Sequence, residues 1–240
     1  MKIPFLCLLT ASAFADVYVG PQFHYTNIEF NNPTELKGYS AGITAGIDWT
    51  CCYFYSDLVF EGTWNAGPIV GTPCQRSDLA EYFLELKLGG NFCFCCDTLS
   101  FKPYTGVGWD RFENTQDPKT AALCFRWDKV FVPVGFLFNW EYCGCNSWGL
   151  QFEWRPDVWS CLHLLSIDLD NKCEQAFRAS MPFRFNRQWC GCCFWTEWSP
   201  FFDWNEFGRA DEKNSDGVPL PVPSLKRWNL GLRFLIGYQF

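Results

Sequence analysis

The stretch Trp228–Phe240, W-N-L-G-L-R-F-L-I-G-Y-Q-F, constrains the fold more than any other part of the chain. Its even positions, Trp228, Leu230, Leu232, Phe234, Ile236, Tyr238 and Phe240, are all apolar or aromatic. The odd positions Asn229, Gly231, Arg233, Gly237 and Gln239 are polar or small, with Leu235 the one exception. A strict period of two puts successive side chains on opposite faces of a strand, so this segment has one greasy face and one wet face. It is long enough to cross a bilayer when tilted, and its apolar face begins and ends on aromatic rings, as at membrane interfaces. Taken alone, it also fits the last strand of a soluble β-sandwich.

Composition separates these two readings. The 240 residues suffice for one all-β domain, and 20 % are aromatic, yet no apolar run is long enough for a transmembrane helix. Apolar residues held at alternate positions account for both facts. The net charge of −7 leaves no basic footprint, so nucleic acid is not an expected partner. Residues 1–15 read as a secretory signal: Lys2 is the positive start, Ile3 to Leu9 the apolar core, and Ala13-Phe14-Ala15 the small-x-small cleavage site. The mature domain, 16–240, then starts at Asp16. Cys7 falls in the removed piece, and Pro4-Phe5-Leu6 before it does not form a lipoprotein box.

Alternation recurs along the rest of the chain and predicts ten strands. They cover about Val17–Ile28, Tyr39–Trp49, Phe54–Trp64, Leu79–Phe92, Leu99–Phe112, Phe125–Trp140, Trp148–Arg155, Ala176–Asn186, Phe194–Trp204 and Trp228–Phe240. The second is the cleanest, with Tyr39, Ala41, Ile43, Ala45, Ile47 and Trp49 against Ser40, Gly42, Thr44, Gly46 and Asp48. Connections alternate in length. Strands two and three, four and five, six and seven, and eight and nine are joined by a few residues each. Longer polar loops are expected over Asn65–Asp78, Glu113–Ala122, Pro156–Glu174 and Asn205–Ser224. Outward tryptophans gather near strand ends (Trp49, Trp64, Trp109, Trp140, Trp148, Trp204, Trp228), as two aromatic girdles require. The expected fold is an all-β transmembrane antiparallel up-and-down β-barrel of about ten strands, with short periplasmic turns and longer extracellular loops. An alternating last strand closing on a terminal Phe resembles the C-terminal signature of bacterial outer-membrane β-barrels. That resemblance implies outer-membrane lipid as surroundings and Tyr238 and Phe240 as the signal read by the barrel assembly machinery.

Cysteine placement is the second informative pattern. Each short turn carries at least two: Cys51 and Cys52; Cys93, Cys95 and Cys96; Cys143 and Cys145; Cys190, Cys192 and Cys193. Ten of the 15 cysteines therefore sit at one rim, while Cys74, Cys124, Cys161 and Cys173 lie in or beside the long loops. In an exported protein disulfides are the default state. Adjacent cysteines are badly placed to bond each other. Neighbouring turns stand two strand spacings apart, roughly 10 Å, beyond the ~4.4–6.8 Å Cα reach of a disulfide unless the turns lean together. Some rim thiols are thus expected to pair with other proteins, and the rest with neighbouring turns. A thiolate metal site is the alternative, but accompanying histidines and C-x-x-C spacing are lacking, so no metal or cofactor is expected. The cysteine habit resembles the cysteine-rich major outer membrane proteins (porins) of chlamydiae and related bacteria. That resemblance implies disulfide cross-links to other cysteine-rich envelope proteins. This chain is shorter than those porins and has fewer strands.

The inward positions carry mixed charge: Asp57, Glu61, Glu81, Glu85, Glu153, Glu197 and Asp203 against Lys87, Lys102, Arg155, Arg178, Arg184 and Arg233. Eight-stranded barrels are filled by their own side chains and sixteen-stranded ones leave a channel, so ten strands lie near the filled end. A plugged lumen is the preferred reading and a narrow channel for ions or small solutes the next. Catalytic residues are not expected. The two histidines are His24, inward on the first strand, and His163, which with Asp168 or Asp170 imitates the Asp–His pair of omptin-type outer-membrane proteases. The expected function is a structural, disulfide-capable outer-membrane barrel with porin-like leakage.

Overall fold

The computed structural model describes residues 14–30, 35–51, 53–67, 69–71, 76–94, 98–115, 125–142, 146–164, 167–170, 175–189, 192–207, 210–213, 219–222 and 225–239. Ten strands form the wall. They are β1 (Phe14–Phe30), β2 (Glu35–Cys51), β3 (Phe54–Asn65), β4 (Arg76–Gly90, continued by Phe92–Phe94) and β5 (Leu99–Thr115). They continue with β6 (Phe125–Phe131, then Val134–Tyr142), β7 (Asn146–Trp154, then Asp157–Leu164), β8 (Gln175–Ser180, then Phe183–Trp189), β9 (Cys192–Phe207) and β10 (Leu225–Gln239). No helix occurs among the described residues. Each strand pairs antiparallel with its chain neighbour, and β1 closes on β10 from Asp16↔Gln239 to Phe30↔Leu225. The result is an antiparallel ten-stranded closed barrel with no free sheet edge to guard.

Four strands are interrupted, β4 at Asn91 and the others at a proline: Pro133 in β6, Pro156 in β7 and Pro182 in β8. Proline has no N–H for the ladder, which favours a break there, although Pro21, Pro103 and Pro200 sit within unbroken strands. Ladder bonds resume through neighbouring groups, with Val132 N donating to Pro156 O at 3.0 Å and Gly149 N to Pro182 O at 2.8 Å.

The two ends differ as the connection lengths suggest, with one correction. Strands at the short-turn end meet across 52–53, 95–98, 143–145 and 190–191. At the other end, segments expected to be loop are partly strand. The second half of β7 runs through the expected Pro156–Glu174 loop to Leu164 and turns back as Ile167–Asp170. Ile69–Gly71 pairs with β2 and β4, and Ala210–Lys213 pairs with Pro219–Val222. Pairing extends here because β6 and β5 also run on, giving the β7 extension a partner from Val130↔Trp159 to Phe125↔Leu164.

The outer wall is apolar at mid-height. Val19, Ile43, Phe60, Leu84, Val107 and Ile236 are all exposed, a continuous greasy surface that water-soluble monomers do not carry. Aromatic contacts ring both margins of this belt. Trp49–Phe54, Trp140–Trp148 and Phe194–Tyr238 lie 5.4, 5.9 and 5.1 Å apart (ring centroids) at the short-turn end. Tyr25–Tyr39, Trp64–Tyr82 and Phe177–Trp204 lie 5.3, 6.1 and 5.6 Å apart at the other. Phe240 lies outside the described residues.

Candidate functional site in the barrel lumen

The charged residues assigned to the interior all face inward, buried or half-buried, and they bond across the lumen. Arg178 of β8 is the hub. Its η nitrogens donate to both carboxylate oxygens of Glu61 on β3 (2.9 and 3.0 Å), and Nη2 also donates to Asp203 on β9 at 2.9 Å. Arg233 of β10 reaches the same Glu61 at 3.0 Å. Arg155 is paired with Glu153 and lies 3.7 Å from Glu85. Lys87 lies 3.5 Å from Asp57 and 3.3 Å from Glu85. Phenols complete the layer: Tyr18 donates to Asp57 and Tyr104 to Glu153, both at 2.9 Å. Two guanidiniums flank one ring, Arg155 and Arg178 standing 4.6 and 4.7 Å from the Phe83 centroid. That pairs each charge with opposite charge along its edge and with an aromatic face on its flat side.

Toward the long-loop end the interior becomes apolar. Ile28, Leu36, Ile69, Leu79, Phe112, Phe125, Trp127, Leu162, Phe207 and Leu225 form one buried cluster. Trp127 and Phe207 meet at 4.3 Å (centroids) across the barrel, and Trp127 Nε1 donates to Ser160 at 2.7 Å. Just beneath, Arg227, 1 % exposed, bridges Glu81 (2.9 Å) and Asp110 (3.2 Å). Sequence reasoning missed Arg227 as a lumen charge because it began the last strand at Trp228; continuing the period of two from Arg233 by three steps finds it. Lys129, which donates to Asn205 at 3.0 Å, was missed as well, in the irregular stretch before Pro133.

Toward the short-turn end the barrel opens. Tyr18, Trp195 and Leu235 pack together below the ion pairs, so Leu235, the exception in the alternation, is an inward floor residue. Gly237 makes room for this floor: a Cβ there would lie 2.1 Å from Trp195 Cε2. Arg184 stacks 3.8 Å over the Trp195 ring and bonds Asp16 (3.0 Å) and Glu197 (3.3 Å). Beyond this layer lies a vestibule of about 850 Å³ lined by Asp16, Thr50, Cys93, Ser100, Lys102, Asn139, Ser147, Cys193 and Gln239, among others. The spaces around His24 and Arg178 hold only about 10 Å³.

One outer-membrane barrel of known structure shares this architecture. The outer membrane protease OmpT of Escherichia coli superposes with a TM-score of 0.62 at 9 % identity, over 96 % of this chain and 98 % of that one. The fold is that of a bacterial outer-membrane barrel. The translocator domain of the autotransporter NalP from Neisseria meningitidis (TM-score 0.48, 10 % identity, 96 % and 90 % covered) and Neisserial surface protein A (0.40, 10 %, 93 % and 97 %) are further structural neighbours. No protein-family model matches the chain, and no curated protein matches it significantly in sequence.

The side chains of Asp168 and Asp170, the partners suggested by sequence for His163, lie outside the described residues. His163 stands opposite Asp168 in the ladder, but its Nε2 lies 3.4 Å from Asp128 Oδ2, on the face of β6 opposite Trp127 and Lys129. Asp128 is already held by Arg111 (2.7 Å) and Arg126 (2.9 Å). His24 sits inside the barrel beside the Phe201 ring at 6.1 Å. Among the rim cysteines, Cys93 and Cys193 are free thiols in the barrel, Cys51 ends β2 and Cys192 starts β9. Cys52, Cys95, Cys96, Cys143, Cys145 and Cys190 lie outside the described residues. Among the described residues no group of His, Cys, Asp and Glu has a metal-binding arrangement.

Proposed function

We propose that this chain is an integral outer-membrane barrel whose lumen does not conduct, and that it serves as a structural component of the envelope, linked to neighbours through cysteines at its short-turn rim. The observation that carries the non-conducting reading is the filling of the lumen. Ion pairs from six strands meet around Arg178, and an apolar cap covers them toward the long-loop end. Opening such a path means unpairing buried charges, which costs several kcal/mol for each ion. The purified barrel in planar bilayers is expected to give no steady single-channel conductance. Stable conductance steps in salt would replace this reading with that of a narrow pore for ions or small solutes.

By the asymmetry of such barrels the short turns face the periplasm and the long loops face outward. The cross-linking reading is supported by free Cys93 and Cys193 at that end. A closed barrel already pairs every strand edge, so its folding needs few disulfides. Replacing all ten turn cysteines with Ser should leave a folded, heat-modifiable barrel and abolish high-mass species on non-reducing gels of the envelope. An unchanged ladder would remove the cross-linking role. The barrel assembly machinery is the partner proposed for the last strand: Phe240→Ser should lower the amount of barrel inserted, with normal levels counting against it.

A further inference from the structure

We infer that the neck above the short-turn vestibule binds a small zwitterion of the α-amino acid class, its ammonium held by Asp48 and its carboxylate by Lys102. The inference goes beyond the structural role given above and does not depend on it. The vestibule of about 850 Å³ continues inward into a smaller space of about 90 Å³ beside Asp57, Lys87 and Arg233. Asp48, Lys102, Asn139, Ser147, Arg184 and Trp195 line both spaces and so form the neck between them.

Three of these six side chains are charged, and they are not equally provided for. Arg184 is paired with Asp16 and Glu197. Asp48 of β2 and Lys102 of β5 have no opposite charge within 4.0 Å among the described residues. One hydroxyl joins them: Thr50 donates to Asp48 Oδ1 at 3.0 Å and accepts from Lys102 Nζ at 3.1 Å. Lys102 is 8 % exposed, and its Nζ stands 5.0 Å from the Tyr55 centroid. An ammonium carries three N–H donors, so a single hydroxyl leaves it short of acceptors.

Asp48 is also the middle member of a row. Asp16, Asp48 and Asp57 stand opposite one another on β1, β2 and β3, and like charges placed in this way repel. The outer two each have a cation, Arg184 for Asp16 and Lys87 for Asp57. The middle one has none, and the ammonium of a ligand supplies it.

Distances select the ligand's shape. The two bonds through Thr50, laid end to end, put the Asp48 oxygen and the Lys102 nitrogen no more than about 6 Å apart, and the lack of direct contact puts them beyond 4.0 Å. In an α-amino acid, ordinary bond lengths place the ammonium nitrogen roughly 3 Å from a carboxylate oxygen. With a charge-assisted hydrogen bond of about 2.8 Å at each end, that pair of charges spans the gap and meets both side chains at once. A simple anion meets Lys102 alone and a simple amine Asp48 alone, each leaving the other charge as it was.

Analogues of glycine test this. The processed chain, refolded in detergent, is dialysed to equilibrium against radiolabelled glycine, with unlabelled compounds as competitors. Glycine should bind saturably at one site per barrel and be displaced by alanine. N-acetylglycine, glycinamide and acetate should each compete at least about tenfold more weakly, because each lacks one of the two charges. Competition by N-acetylglycine equal to that of glycine would make this an anion site, and equal competition by glycinamide a cation site; either overturns the inference, as does the absence of saturable glycine binding. Asp48→Asn and Lys102→Met should each weaken glycine by about tenfold or more while the barrel stays heat-modifiable. Unchanged glycine binding in both variants overturns the assignment to these residues. Should a variant not fold, the competition series on the unaltered chain decides by itself.

Discussion

The two halves of the lumen are built from the same ten strands and differ in what those strands project inward. Around Arg178 the inward side chains are long or broad: Arg155, Arg227, Arg233, Phe83, Phe131 and Phe201, stacked and ion-paired so tightly that about 10 Å³ remains beside Arg178 and about 90 Å³ beside Arg233, Lys87 and Asp57. At the short-turn end they include the smaller Thr50, Ser100, Ser147 and Asn139 beside Lys102, Arg184 and Trp195, and the same circumference encloses about 850 Å³. A ten-stranded ring therefore lies close enough to the filled limit for side-chain volume to decide, layer by layer, whether it is solid or hollow.

The sharpest way to break this comparison is to remove charge from each half. Arg178→Ala leaves Glu61 and Asp203 buried without their main partner and should cost about 3–5 kcal/mol, read as a lower urea midpoint of the refolded barrel. Ion pairs of this kind do not by themselves prove stabilisation, but stranding one member of a buried set is costly. A loss under ~1 kcal/mol would mean that water reaches the hub.

Next comes the contrast between inside and outside. Leu86→Arg or Phe136→Arg, on the lipid-facing side of β4 and β6, should cost about 2–4 kcal/mol. Ser147→Arg or Asn139→Arg, on the vestibule wall, should cost less than ~1 kcal/mol, because the new guanidinium stays in water. Equal losses would sink the assignment of faces. Inward glycines of the filled half are no place for the same test. A Cβ at Gly106 would fall 1.8 Å from the Leu86 carbonyl oxygen.

A smaller effect probes packing alone. At Gly108 a Cβ would lie 2.1 Å from the Phe131 ring, which is stacked on Phe83 at 5.8 Å (centroids), so Gly108→Ala should cost about 1–3 kcal/mol through overpacking. Tryptophan fluorescence during unfolding would measure it. The smallest expected change is Arg187→Ala at the exposed lip of the vestibule, within ~0.5 kcal/mol. A larger loss there would show the two halves to be less different than their volumes suggest.

Much of the barrel was legible because alternation is a local property. Each residue's face follows from its parity along a strand, so Glu61, Arg178 and Asp203 read as inward, and Leu86 and Phe136 as outward, without knowledge of any neighbour. Legibility faded where alternation did. The stretch Arg126–Lys129 has no clean period, and its extended pairing with Asp157–Leu164 depends on a partner strand remote in sequence. The approach of Asp128 to His163 was illegible for the same reason: it is 35 positions away and comes close only through the β6–β7 ladder.

The sequence by itself determined the wall: ten alternating segments, a greasy outer face with aromatic margins, charge within, and cysteines collected at the short turns. Tertiary structure alone decided how the interior is occupied. Which carboxylate meets Arg178, that an apolar cap lies above the ion pairs, that Leu235 joins a floor with Tyr18 and Trp195, and that Cys93 and Cys193 face each other across an open vestibule all depend on closure of the ring. The physical reason is that parity assigns a side chain to a face, whereas contact across a lumen depends on register and stagger summed over several strands, which no single segment encodes.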